Sequence, residues 1–166
     1  MFKILDEVCK PTRGTKYSAA VDLRAREDIT IAAGETKLIP LGIKIDLFNN
    51  DELFIHYPIE QLKKNCYLQL MLRSGLGKKG LILPNGVGVI DLDYEDEIMM
   101  IVHNSISGFD ENFLPTGANY PVDRNTYEIK KGDRVGQITL LEHKSYLFGI
   151  NTEDVRTGGF GSTGNK

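Results

Sequence analysis

The chain has 166 residues, 41% hydrophobic and 26% charged, with a formal net charge of −3. That length supports one domain with a buried core, and the composition excludes whole-chain disorder. No run approaches the roughly 18 apolar residues of a membrane-spanning helix, and the opening MFKILDEVCK lacks the apolar stretch of a signal peptide. A general nucleic-acid binder presents a basic surface, which an acidic balance does not supply. The expectation is therefore a cytoplasmic protein with no membrane association and no direct nucleic-acid binding. Cys9 and Cys66 lie far apart, without metal-ligand spacing, and are expected to be reduced and free.

In chain order, TKLIPLGIKI at 36–45 alternates as a strand does, and 52–57 is strand-like. PIEQLKKN at 58–65 opens on proline and is the one helix candidate. Strand signals return at 67–73, at EIMMIVHN (97–104) and at RVGQITLL (134–141), the last after a Lys-Gly-Asp turn. Between them, 105–126 is rich in turn residues and reads as a long loop, a class that tends to be functional or mobile. Short strands separated by Gly, Pro and Asn turns predict an all-β sandwich or barrel. One domain is expected over 1–154, followed by a Gly-rich tail over 155–166.

The 17 glycines sit largely in clusters: 75, 77 and 80; 86 and 88; 158, 159, 161 and 164. Such clusters serve either as turns or as backbone cradles for phosphate, and neighbouring Arg, Ser or Lys favours the second use. Arg73-Ser74-Gly75 combines a fixed fork of donors, a hydroxyl and an unobstructed amide, which is a phosphate site by its chemistry or, alternatively, a surface turn. Asp91 and Asp93, two apart, share a face if extended. By themselves they read as solvated turn carboxylates.

Five segments occur in one order along the chain: SAAVDLRA (18–25), RSGLGKKG (73–80), NGVGVIDLDYEDEI (85–98), GDRVGQI (132–138) and RTGGFGSTG (156–164). This set resembles the five ordered motifs of the trimeric dUTPase family. The resemblance implies a jelly-roll-like β-barrel protomer in a homotrimer, with active sites shared between subunits and a C-terminal arm that closes them. It implies hydrolysis of dUTP to dUMP and pyrophosphate, with Mg2+ as cofactor held mainly by triphosphate oxygens and waters. Such a reaction keeps uracil out of DNA and supplies dUMP for thymidylate synthesis.

The resemblance also assigns roles. Asp91 would activate the attacking water, as a carboxylate within reach of a water can. Ser74 would contact the oxygen between the α and β phosphates, where charge develops as pyrophosphate leaves. Arg73, Gly75 and Gln137 would hold phosphate. Asn85 would pair with uracil through its amide, and backbone groups of the 86–90 hairpin, Gly88 and Val89 among them, would complete that reading. Tyr94 would pack on the deoxyribose and leave no room for a 2′-hydroxyl. In the tail, Arg156 would pair with the γ-phosphate, Phe160 would stack on uracil, and Ser162 and Thr163 with the amide of Gly161 would hold the outer phosphates. Asp22 matches the aspartate near the metal's water shell and the motif arginine; a buried structural carboxylate is the equal alternative. Asp133 and Arg134 read as an inter-strand or inter-subunit salt bridge and stay outside the catalytic set.

Three departures from the family pattern stand out: Ala20 replaces a usual glycine, and the second and fifth motifs are each one residue short. The 105–126 loop is additional. A dCTP deaminase, on the same fold, would need a glutamate ten residues after Asp91, where this chain has Ile101. A dUTPase-like protein with a regulatory partner, docking through 105–126, is the rival of a different class.

Overall fold

The computed structural model describes residues 1–48, 58–106 and 126–150. Among these residues the strands are β1 (Phe2–Ile4), β2 (Thr12–Arg13), β3 (Val21–Arg24), β4 (Ile29–Ile31), β5 (Thr36–Pro40), β6 (Ile43–Ile45), β7 (Cys66–Leu72), β8 (Leu81–Ile82), β9 (Gly88–Asp91), β10 (Met99–Asn104), β11 (Tyr127–Ile129) and β12 (Arg134–Glu142). Two short helices join them, α1 (Ile59–Asn65) and α2 (Ser74–Gly77). No helix among the described residues is long and apolar enough to cross a membrane. The expected strand at 52–57, most of the 105–126 loop and the whole tail lie outside the described residues.

Alternation decides which residues enter the core. Along β7 the buried positions are Cys66, Leu68 and Leu70, and along β10 they are Met100, Val102 and Asn104. All but Asn104 join Leu23, Ile31, Ile39, Ile43, Ile129, Val135 and Ile138 in one apolar cluster, and the Asn104 amide donates to Ile31 O at 3.0 Å. Burying each such aliphatic side chain contributes about 1.5–3 kcal/mol. The main sheet has the order β2-β3-β12-β7-β9, and a second has the order β5-β10-β8; β1-β6 and β11-β4 are separate pairs. All pairings are antiparallel.

The strand expected over 36–45 divides at Leu41-Gly42, because Gly42 adopts φ +63 and turns the chain. β5 then pairs with β10, and β6 with β1. A Cβ at Gly42 would lie 2.6 Å from Cys9 Sγ, so this corner has no space for a side chain. The expected helix at 58–65 forms as α1, with Pro58 as its N-terminal flank and Leu62 buried beneath it.

Candidate active site

Two corners of the molecule gather the residues singled out from sequence. The first is a cleft of about 240 Å³ between edge strand β9 of the main sheet and β10 of the second. Leu70 and Ile98 lie at its floor, both buried, and Asn85, Gly88, Val89, Asp91 and Tyr94 line it. Leu83, Ile90, Met99 and Ile101 complete the wall.

The approach to the cleft is shaped by a turn over Leu83-Pro84-Asn85-Gly86, closed by Gly86 N donating to Leu83 O at 2.9 Å. Proline second and glycine fourth suit such a turn. β9 then pairs with β7 through Gly88↔Leu70, Val89↔Gln69, Ile90↔Leu68 and Tyr67↔Asp91. Asp91 ends the strand and is exposed. The next turn begins with Tyr94 N donating to Asp91 O at 3.1 Å.

Tyr94 is half-buried against the core, and its hydroxyl donates to Glu97 O at 3.3 Å. Glu97 fixes this loop to the β5–β6 corner. Its carboxylate accepts from Gly42 N at 2.7 Å and Arg26 Nη1 at 2.8 Å, and Ile98 N donates to Ile43 O at 2.9 Å.

The second corner lies where β7 ends. Arg73 N donates to Val135 O at 3.1 Å, and its Nε meets Asp22 Oδ1 at 3.0 Å. Ser74 and Gly75 follow in the single turn of α2, both exposed, with buried Leu76 as its anchor. A Cβ at Gly75 would touch nothing within 4 Å, so packing inside the chain does not demand glycine there. Gln137 stands opposite Asp22 on one side and Met71 on the other. The motif positions Asp22, Arg73, Ser74, Gly75 and Gln137 thus share one end of the main sheet. Arg156, Phe160, Gly161, Ser162 and Thr163 lie outside the described residues.

Of the two residues expected in an inter-strand or inter-subunit salt bridge, Arg134 forms an inter-strand one within the chain, to Asp22 and not to Asp133. Asp133 accepts from Lys130 N at 2.9 Å across its turn, and Arg134 Nη1 instead reaches Asp22 Oδ2 at 3.1 Å. Asp133 lies in the turn before β12, and its carboxylate closes that turn.

Among the described residues no group of three or more His, Cys, Asp or Glu is placed to hold a metal. Asp22 is the acidic side chain of the second corner, and each of its oxygens meets one arginine. A carboxylate has about four acceptor sites, so this one can still accept from a metal-bound water. Its surroundings fit that indirect contact and not a direct metal bond.

Sequence reasoning missed Leu70, Leu83, Ile98, Met99 and Ile101 in the cleft, and Arg134 in the second corner. Period-two spacing put Met99 and Ile101 on one face of β10, but an apolar run does not tell which face lines a site.

Known proteins resemble this chain along most of its length. A family model described as dUTPase matches residues 6–109. The deoxyuridine 5'-triphosphate nucleotidohydrolase of Francisella tularensis subsp. holarctica (strain FTNF002-00 / FTA) is 35% identical over 162 residues, covering 93% of this chain and 88% of its own. The dUTPase of Streptococcus mutans has a TM-score of 0.60 at 26% identity, over 85% of this chain and 94% of that one. The dUTPase of Staphylococcus bacteriophage 80alpha has a TM-score of 0.64 over 96% and 97% of the two chains, and at 18% identity it speaks for the fold alone. The expected all-β, jelly-roll-like barrel is the architecture of these structures. With the family model, the relative's identity and the fold in agreement, this chain belongs to the dUTPase family.

Proposed function

We propose that the chain hydrolyses dUTP to dUMP and pyrophosphate, using Mg2+, in a homotrimer whose sites are shared between subunits. The observation that carries the reading is the convergence of Asn85, Gly88, Val89, Asp91 and Tyr94 on one cleft. An amide, a hairpin backbone, an aromatic ring and a carboxylate there offer what a base, a deoxyribose and an attacking water require. Asp91 takes a proton from water as the water oxygen bonds to the α-phosphorus. The bond to the α–β bridging oxygen breaks, and pyrophosphate leaves with the electron pair. Ser74 donates to that bridging oxygen, while Arg73, Gln137 and the Gly75 amide hold neighbouring phosphate oxygens. Magnesium, when bound, neutralises charge on the triphosphate. Arg156, Phe160, Gly161, Ser162 and Thr163 of the arm would cover the bound nucleotide and exclude water.

Sharing between subunits is supported by sheet geometry. Asp22 and Asp91 are three strands and four residue positions apart in the main sheet, roughly 20 Å at the usual strand spacings. Ser74 lies beyond the same end of β7. This separation is too large for the two corners of one chain to meet on a single phosphorus, which supports a site completed by a neighbouring chain.

The deaminase alternative is disfavoured at Ile101. That residue lines the cleft with Asp91, so an aliphatic side chain stands where the deaminase reading needs a carboxylate. Pyrophosphate release from dUTP, compared with dTTP, dCTP and UTP, tests the proposal. Rapid release from dUTP alone is the expected result, while ammonia release from dCTP would replace it.

A further inference from the structure

Arg134 reaches Asp22 because of an irregularity in β12. Gln137 shares the outer face of the main sheet with Asp22, while Ile138 and Gly136 enter the core. Strict alternation would send Arg134 inward with Gly136. Instead Val135 and Gly136 are both buried, and the register to β3 shifts between Arg134 and Gly136. One extra residue is absorbed there as a bulge, so Arg134 changes face. The bulge has little room to carry a side chain at its glycine: a Cβ at Gly136 would lie 3.1 Å from Met100 Sδ and 3.3 Å from Leu70 Cδ1.

The result is a carboxylate held between two guanidinium groups. Asp22 is 13% exposed and binds Arg73 through Oδ1 and Arg134 through Oδ2. Arg73 with Asp22 alone would be a neutral pair; the third member makes the group net positive. Arg73 meets Asp22 through Nε, which leaves the terminal amino groups of its fork for another acceptor.

We propose that Arg134 is a positioning residue for the polyphosphate. By occupying the second oxygen of Asp22 it fixes that carboxylate, which holds Arg73 by its Nε with both terminal amino groups left for phosphate. It also supplies the positive charge of the corner. This rests on the reading of that corner as the phosphate site of a dUTPase.

The test uses the full chain with Mg2+ and compares wild type, Arg134→Gln and Arg134→Lys. Hydrolysis of dUTP is measured, together with the affinities of dUMP and of a non-hydrolysable α,β-imido dUTP by calorimetry. Losing one charge-assisted link corresponds to about a tenfold change in affinity. Arg134→Gln should weaken the imido analogue and raise KM by about that factor, leaving dUMP, which has no β- or γ-phosphate, nearly unchanged. Arg134→Lys, which keeps the charge, should fall between the two. Equal loss for dUMP and analogue, or no loss for either, overturns the proposal. Should Arg134→Gln not fold, Arg134→Lys decides: weaker analogue binding with unchanged dUMP supports it, and unchanged binding of both overturns it. A wild-type chain that releases no pyrophosphate from dUTP would instead remove the underlying functional reading.

Discussion

Leu70 stands directly opposite Gly88 across β7 and β9, and the space a Gly88 side chain would need is already filled by it. A Cβ there would lie 3.0 Å from Leu70 Cβ and 3.4 Å from Leu70 Cδ2. Leu70 is 2% exposed and forms the floor of the cleft, so it cannot move outward without opening the core. Gly88→Ala should therefore push β9 away from β7. Overpacking of this kind costs about 1–3 kcal/mol. A lower Tm together with a reduced kcat/KM for dUTP is expected, and a variant matching wild type in both would show that the hairpin can give.

Asp91→Asn keeps the shape of the cleft and removes the proton acceptor. Turnover should fall by about 10²–10⁴-fold, the usual contribution of a general base. Binding of the imido analogue should persist. A rate close to wild type would take Asp91 out of the base role.

Tyr94 lines the cleft, and its ring is held by core packing and by the bond to Glu97 O. Tyr94→Ala opens the space beside the sugar. UTP should then compete with dUTP in an initial-rate assay. Discrimination equal to wild type would locate the barrier to the 2′-hydroxyl elsewhere.

Acid stability should report two carboxylates far from the cleft. The Lys131 side chain, then Val8 N, hold Asp6 below its ordinary value of 3.8; Lys131 N, with Lys130 nearby, does the same for Asp28. A carboxyl with a lower value in the native state than in the unfolded chain stabilises above its unfolded value. That contribution is lost as pH falls through the native one. Melting temperature should thus decline on acidification below about pH 4. Asp28→Asn should shallow that decline, and an unchanged slope would contradict the assignment.

Legibility from sequence differed between the two corners for physical reasons. Asn85, Asp91 and Tyr94 are close along the chain, so a single turn and hairpin bring them to one cleft. Gln137 and Asp22 are distant, yet the simple two-residue period puts them on one face once β3 and β12 pair. Arg134 was not legible because its face depends on where the bulge falls, which is a property of the pairing and not of β12 alone. The division of 36–45 has a similar origin. Alternation continues through Leu41-Gly42, but the positive φ at Gly42 breaks the strand. Met99 and Ile101 were hidden for another reason, since IMMIV is apolar on both faces and only the position of β9 tells which face borders the cleft.

The distance between the two ends of the main sheet has a consequence for mixtures. Chains crippled at Ser74 and chains crippled at Asp91 would each be inert by themselves. Refolded together, some junctions would bring an intact Asp91 from one kind beside an intact Ser74 from the other, and turnover should reappear. On the proposed sharing of sites, strong dilution should silence even the unaltered protein, because the two corners of a solitary copy lie too far apart in the sheet to act on one phosphorus.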